Sequence, residues 1–374
     1  MCMMKRPKAV VIDMKVILAA FYVFSVLAMW TASVTPAMRN TGNPLFFFKR
    51  HLVAAAVGLV IYFLCSRLVL KRLLPLTPWL HLFSLLLLFA VFLPRLGVEI
   101  NGARRWIDIG FLRFQPSEWA KLTLILYLTA SFHKEAGGYR RLGDHFSLNN
   151  YPLLMTAVTA LLIFAGNDFS TSIVILVLYG IIYFVSGRNP KAVMFWASSA
   201  LLTGLLVVLR GGGFRSGRLD SWLNYLFHGG PPAYQLRHSI AAFQMGGYFG
   251  RGFGSGAYKS LLPEAHTDFV FAVIGEEMGF VFILGLIALY LIMFYKLIRL
   301  SDESKHDYER YFLLLTGSLF AFQSIINMGV TVGLFPVTGM TLPLISYGRT
   351  SFLIFMALLG MVRSIEKDIM RRIA

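Results

Sequence analysis

The chain has 374 residues, 57% of them hydrophobic and only 14% charged, with a formal net charge of +17. A soluble domain carries about 25% charged residues, so the composition excludes an ordinary soluble enzyme and points to a polytopic membrane protein. Two cysteines, Cys2 and Cys65, imply neither a disulfide framework nor a metal knuckle.

Apolar runs of about 20 residues mark membrane-spanning helices. Ten are predicted, near 14–34, 50–70, 77–95, 115–133, 151–165, 169–186, 191–209, 268–298, 310–333 and 343–364. None alternates apolar and polar residues, which excludes a strand-built barrel. The first run is long enough to span and nine more follow it, so it reads as a span rather than a cleaved leader. The expected fold is an all-α integral membrane protein forming a single polytopic domain over 1–374, with a large extracytoplasmic loop at 210–267 between helices 7 and 8.

Positive charge marks cytoplasmic loops. With the N-terminus inside, more than half of the 35 basic residues fall in inside segments, from Lys5, Arg6, Lys8 and Lys15 to Arg363, Lys367, Arg371 and Arg372. Both termini are therefore expected in the cytoplasm. The outer basic residues run against this bias. Arg104, Arg105 and Arg113 follow span three, and Arg215, Arg218, Arg251 and Lys259 lie in the long loop. Basic outer loops beside a membrane suit a polyanionic lipid such as a pyrophosphate-linked one. No nucleic-acid module is recognisable, so nucleic acid is not an expected partner.

In chain order, Pro116 suits the first turn of the fourth span. Glu118 and Lys121, three apart, are expected to pair and to point into the protein. In the functional reading Lys121 meets a lipid phosphate, as do Arg104 and Arg105 through the guanidinium fork. Asp168, in the turn Gly166-Asn167-Asp168, is expected to cap the sixth span or to orient a cation or sugar hydroxyl. The glycines of Gly246–Gly256 allow tight turns over an outer cavity; no strand precedes them and no Gly-Lys-Ser/Thr ends them, which excludes a nucleotide loop. Tyr234, Gln235, His238 and Gln244 read as a short surface helix.

Asp268 is expected to begin the eighth span, gathered with Lys259, Glu264 and His266. That cluster suggests acid/base chemistry at a membrane surface. Glu276 and Glu277, deeper on the same span, are expected to pair with polar groups of neighbouring spans. The tenth span opens with Thr341, Ser346, Tyr347, Gly348 and Arg349, a polar density expected of a cavity lining.

Three stretches, NGARRWIDIGFLRFQPSEWAK (101–121), GGYFGRGFGSGAYKSLLPEAHTDFVFAVIGEEMG (246–279) and GLFPVTGMTLPLISYG (333–348), together resemble the SEDS family, which includes FtsW, RodA and SpoVE. The resemblance covers nearly the whole chain. Phe48-Lys49-Arg50-His51, NGARRW and LPEAHTDF lean toward the FtsW-like division branch. Two positions depart from the family pattern: Gly166-Asn167 replaces a Gln-Pro before Asp168, and Arg349 replaces a second glycine after Ser346-Tyr347.

The resemblance implies a peptidoglycan glycosyltransferase of the bacterial inner membrane that polymerises lipid II at its outer face. Asp268 would be the general base. Arg104, Arg105, Lys121, Arg215, Arg218 and Lys259, with Glu118, Asp168, Glu264, His266, Ser346 and Tyr347, would bind substrate. A divalent cation (Mg or Mn) could assist. A class B penicillin-binding protein and other divisome or elongasome membrane proteins would be partners. The competing readings are a lipid II flippase or transporter, whose site should lie near mid-membrane, and a non-catalytic divisome scaffold.

Overall fold

The computed structural model describes residues 12–100, 102–108, 110, 113–136, 151–188 and 214–373. The predicted seventh span, 191–209, lies outside the described residues, as do the side chains of 214–219, Arg215 and Arg218 among them.

The chain runs through α1 (Met14–Ala32), α2 (Val34–Thr41), α3 (Phe46–Cys65), α4 (Leu70–Leu73), α5 (Thr77–Ala90), α6 (Pro116–Ala136), α7 (Tyr151–Ala165) and α8 (Phe169–Val185). After the seventh predicted span come α9 (Phe214–His228), α10 (Tyr234–Gly246), α11 (Val270–Glu303), α12 (Asp307–Thr331) and α13 (Arg349–Ile373). The all-helical expectation needs one correction. Between α5 and α6 the chain forms a small antiparallel sheet of β1 (Gly97–Ile100), β2 (Ala103–Asp108) and β3 (Arg113–Phe114), in the order β1-β2-β3. Its strands are too short for a period-2 pattern to stand out from the surrounding loop. Gly102, at φ +72, supplies the left-handed residue of the β1–β2 turn.

Among the described residues, five helical segments are long and apolar enough to cross a membrane: Met14–Ala32, Phe46–Cys65, Leu70–Ala90, Val270–Glu303 and Asp307–Thr331. The chain is thus a multi-pass membrane protein. Other predicted spans are disguised by their placement. Nearly every described side chain of α6 is buried, and α13 is buried almost continuously from Thr350 to Glu366. A helix wrapped by other helices can carry charges that a lipid-facing helix cannot. At 15 residues, α7 extends only about 22 Å, short of the roughly 30 Å hydrocarbon core.

Small residues let the central helices approach. A Cβ on Gly58 would lie 2.8 Å from the Phe352 ring, and one on Gly360 2.6 Å from the Tyr62 carbonyl, so α3 and α13 pack side by side. One end of the bundle is tied by ions. Lys296 Nζ lies 2.5 Å from Glu366 Oε1, and Arg363 Nη1 lies 2.5 Å from Glu366 Oε2 and 3.0 Å from Asp13 Oδ1. Asp13 also caps α1 by accepting from the Lys15 N–H at 2.8 Å.

The opposite end gathers the segments predicted to be outside. The Trp222 indole donates to the Gly333 carbonyl (3.1 Å) and the Ser239 hydroxyl to the Thr331 carbonyl (2.6 Å), so α9 and α10 dock on the end of α12. The predicted surface helix at Tyr234 is α10. The glycine-rich loop wraps a break in α11 at Gly279, where φ is +78 and ψ −178. Only glycine fits there: a Cβ would sit 2.2 Å from the Gly250 nitrogen.

Candidate active site

Asp268 is not the first residue of the helix. It closes a turn before α11, with Phe269 at the N-cap position. Glu264, in the left-handed region at φ +56, organises that turn: its carbonyl accepts from the N–H groups of Thr267 (3.1 Å), Asp268 (3.1 Å) and Phe269 (3.3 Å). Its carboxylate accepts from the Thr267 hydroxyl at 3.0 Å. From below, the Asn327 amide on α12 donates to the Asp268 carbonyl (2.9 Å) and to the Met340 carbonyl (2.7 Å). One side chain thus fastens the Asp268 turn to the 338–348 segment.

That segment is not the opening of the tenth helix. It is non-helical until Arg349, because Pro343 lacks an N–H and Leu344 stands at positive φ (+64). Such backbone is tolerated at membrane depth only where protein buries it, and Leu342 to Ser346 are buried. The Ser346 hydroxyl accepts from the Leu342 N–H at 2.8 Å, so it is spent on the turn. Gln323, one helical turn from Asn327, donates to the Thr341 carbonyl at 3.0 Å.

The decisive juxtaposition is at Gly339. A Cβ there would lie 3.1 Å from Arg105 Nη1 and 3.8 Å from Asp268 Oδ2. The bare glycine therefore opens a point that a guanidinium and a carboxylate share. Arg105 arrives from β2 and donates to the Asn167 carbonyl, while its Nε is buried without a hydrogen-bond partner. Asn167, at φ +69, donates in turn to the Gly102 carbonyl at 2.6 Å. The Gly166-Asn167 departure thus keeps a fixed turn by different means. Asp168 is buried and accepts from the Thr171 N–H at 3.3 Å, capping α8 as the sequence suggested. Arg105 and Asp168 line one narrow cleft with Arg104 and Ser117, walled by Leu88, Phe92, Leu162 and Ile163.

His266 forms a wall of the site. Its ring stacks on Phe47 at 4.5 Å and lies 5.3 Å from the Tyr347 ring, and its carbonyl accepts from the Tyr347 N–H at 2.9 Å. Burial pushes its pKa down to about 4, so the imidazole is neutral near pH 7. Its Nδ1 has no partner among the described residues.

Several expected residues stand elsewhere. Lys259 does not join the Asp268 cluster. Its ammonium donates to Glu277 (2.8 Å) and to the Gly254 carbonyl (2.7 Å). Glu276 and Glu277 find partners in the glycine-rich loop rather than on neighbouring spans: Glu276 accepts from the N–H groups of Ala257 (2.7 Å) and Tyr258 (3.1 Å), and Glu277 from that of Gly254 (2.9 Å). The predicted Glu118–Lys121 pair forms at 2.8 Å, and Lys121 also donates to Gln323 at 2.8 Å. Lys121 is 1% exposed, and its ammonium is held by these two interior partners. Arg104 is exposed and pairs with Glu99 at 3.2 Å. Phe47, Asn327 and Gly339 escaped the sequence reading, because an aromatic, an amide and a glycine in apolar surroundings carry no charge signal.

Among the described residues, no three His, Cys, Asp or Glu side chains gather as a metal-ligand set. Among the described residues, the donors around Asp268, with the Arg105 guanidinium close by, do not fit a divalent cation.

The profile of the family described as "Cell cycle protein" (FtsW, RodA and SpoVE) matches residues 12–370. The chain belongs to this family. A probable peptidoglycan glycosyltransferase FtsW from Coxiella burnetii is 35% identical over 358 residues, covering 91% of this chain and 92% of the relative. The FtsW relative from Aliivibrio salmonicida is 33% identical, covering 90% and 84%. Among solved structures, one chain in a study of how a peptidoglycan synthase complex coordinates polymerization and crosslinking superposes with a TM-score of 0.76 at 30% identity, covering 95% of this chain and 97% of that one. The rod shape determining protein RodA of Thermus thermophilus superposes with a TM-score of 0.70 at 29% identity, covering 97% and 99%. As a member of the FtsW/RodA/SpoVE family, this chain brings Asp268, from its LPEAHTDF motif, and Arg105, from its NGARRW motif, to the same point beside Gly339.

Proposed function

We propose that the protein is a peptidoglycan glycosyltransferase that polymerises lipid II at the outer face of the bacterial inner membrane. The observation that carries this reading is the convergence of the Asp268 carboxylate and the Arg105 guanidinium on the open Gly339 backbone. The names of its relatives supply the substrate class. The full reading has ten spans, both termini in the cytoplasm, one polytopic domain, and 210–267 as an extracytoplasmic cap.

Asp268 acts as general base. It removes the proton from the acceptor sugar's 4-hydroxyl as that oxygen attacks the donor's anomeric carbon. The bond from the anomeric carbon to the pyrophosphate breaks, and the departing oxygens gain charge. Arg105, held by the Asn167 carbonyl, stabilises that charge. A pyrophosphate leaves readily, so a second, protonating carboxylate of the glycosidase kind is unnecessary. Single displacement inverts an α-linked donor into a β-1,4 glycan.

The supporting roles follow the geometry. Glu264 and Asn327 position Asp268, and the neutral His266 ring with Phe47 and Tyr347 walls the site. Asp168 holds the α8 turn behind Arg105, and Lys121 with Glu118 and Gln323 supports the floor through Thr341. Arg104, Arg215 and Arg218 are left as the outer residues for lipid phosphates.

A class B penicillin-binding protein is the proposed partner, on the strength of the synthase-complex neighbour. The polar groups of the site sit at one end of the bundle rather than at mid-membrane, which disfavours transport. The test is polymerisation of purified lipid II by purified protein, with and without the partner. Glycan strands should form; their absence under both conditions, from folded protein, would remove the enzyme reading.

A further inference from the structure

We propose that the tip of the glycine-rich loop, 247–253, re-enters the membrane and seats Tyr248 and Phe249 in the outer leaflet. This part of the 210–267 segment is then a lipid-binding element and not a piece of an aqueous cap. The proposal needs only that the chain spans a membrane, and it is independent of the chemistry at Asp268.

Non-helical backbone inside a bilayer must find its hydrogen-bond partners within the protein, and α11 supplies them. At its break, the Phe280 and Val281 N–H groups donate to the Gly247 (2.9 Å) and Tyr248 (3.1 Å) carbonyls. In return, the Arg251 and Gly252 N–H groups donate to the Glu276 and Glu277 carbonyls, both at 3.0 Å. The Gly250 N–H closes the tip on the Gly246 carbonyl at 2.8 Å. Past the tip, the Gly254 and Gly256 N–H groups donate to the Glu277 carboxylate at 2.9 and 3.3 Å. The only charged side chain of the tip, Arg251, reaches Glu276 at 3.8 Å. A loop in water could leave such groups to solvent. The glycines let the two backbones touch: a Cβ on Gly250 would collide with the Glu277 carbonyl.

The level of the contact is set by α1. Phe282, just past the break, packs on Phe24 with ring centres 4.7 Å apart. Phe24 stands eight residues before Ala32, where α1 ends on the Asp268 side of the bundle. At 1.5 Å per residue, α1 is about 28 Å long, close to the roughly 30 Å of a hydrocarbon core. The Gly247–Phe280 pairing therefore lies about 9 Å inside that end of α1.

The surface of the tip matches this depth. Tyr248 is 74% exposed, and Phe249, at 83%, is the most exposed large hydrophobic side chain among the described residues. Phe280, Val281 and Leu284 of α11, on the segment these residues pair with, are also exposed and apolar. The aromatic tip thus continues the lipid-facing flank of a spanning helix. Aromatic rings gather at this level of membrane proteins, whereas an apolar patch facing water is costly. Seated in lipid, the tip fixes the break in α11 against the bilayer, and with it the helix start beside Asp268.

Tyr248→Cys and Phe249→Cys would be made in full-length protein carrying Cys2→Ser and Cys65→Ser, spin-labelled, and placed in phosphatidylcholine nanodiscs. Paramagnetic resonance would compare collisions with oxygen, which concentrates among acyl chains, and with a water-soluble nickel chelate. Val23→Cys on the exposed flank of α1 and Asp220→Cys on α9 are the references. Both tip labels should follow Val23→Cys, with oxygen collisions several-fold above chelate collisions. A label as open to the chelate as Asp220→Cys places the tip in water and overturns the proposal. A label that neither reagent reaches is covered by protein, which also overturns it. Phe249→Trp gives a reading without a label: its added fluorescence should be quenched by brominated phosphatidylcholine and not by aqueous acrylamide, and the reverse contradicts a lipid seat. Polymerisation is not measured, so the outcome stands apart from the role of Asp268.

Discussion

Replacing Lys121 by Met separates a structural lysine from a phosphate-binding one. Lys121 is 1% exposed, and its ammonium lies 2.8 Å from both Glu118 Oε1 and Gln323 Oε1. The second Glu118 oxygen is buried with no partner among the described residues, so Lys121 supplies most of the compensation seen for that charge. Removing one member of such a pair costs about 3–5 kcal/mol. At about 2–4 °C per kcal/mol, the apparent Tm should fall by roughly 6–20 °C. The charge-balanced double variant Glu118→Gln/Lys121→Met leaves no buried ion and should recover most of the loss. The assay is thermal unfolding of purified protein in one detergent, for wild type, both single variants and the double. A phosphate-binding lysine gives the opposite pattern: normal melting, weak lipid II binding, and no rescue by Glu118→Gln. That pattern would refute the structural assignment.

Asn327→Ala leaves the Asp268 and Met340 carbonyls without their shared donor; it should cost about 1–3 kcal/mol of stability and lower the polymerisation rate more than lipid II binding, read by melting and by single-turnover kinetics. His266 is held neutral with a pKa of about 4 against an ordinary value near 6.5. The unfolded chain therefore binds more protons between those values, and this contribution to stability is complete above about pH 6.5 and lost as pH falls toward 4. His266→Phe keeps the stacking on Phe47 and should flatten that part of the Tm–pH curve. In intact cells an impermeant thiol reagent should label Asp220→Cys, in the outer cap, and not Asp302→Cys, at the end of α11; the reverse would invert the topology.

The membrane class was legible in the sequence because lipid-facing helices such as α1 and α3 must be apolar along their length. The central helices α6 and α13 read in the sequence as ordinary spans, whereas the structure wraps them in other helices with Lys121 and Arg363 in the interior. The Asp268 turn was found through its charge and its motif. Arg105 stands out in the sequence as a basic residue on the outer side, but its convergence with Asp268 on Gly339 does not, because it depends on a glycine 71 residues beyond Asp268 whose only contribution is space. Lys259 stands away from Asp268 for a related reason. Proximity in sequence put it with Glu264 and His266, whereas the break at Gly279 folds the glycine-rich loop back and delivers it to Glu277. The sequence pattern starts the tenth helix six residues early, because the apolar run Leu342–Ile345 hides a turn.

The central claim is that Asp268 takes the proton from the attacking hydroxyl. The direct measurement is glycan yield from lipid II with purified Asp268→Asn protein beside wild type, each with its penicillin-binding partner. Asparagine keeps the shape of the side chain, and the Asp268 backbone bonds to Glu264 and Asn327 are independent of its charge. Melting and lipid II binding should therefore stay near wild type, while polymerisation falls by a factor of about 10² to 10⁴. Near-normal polymer from the folded variant would contradict the account.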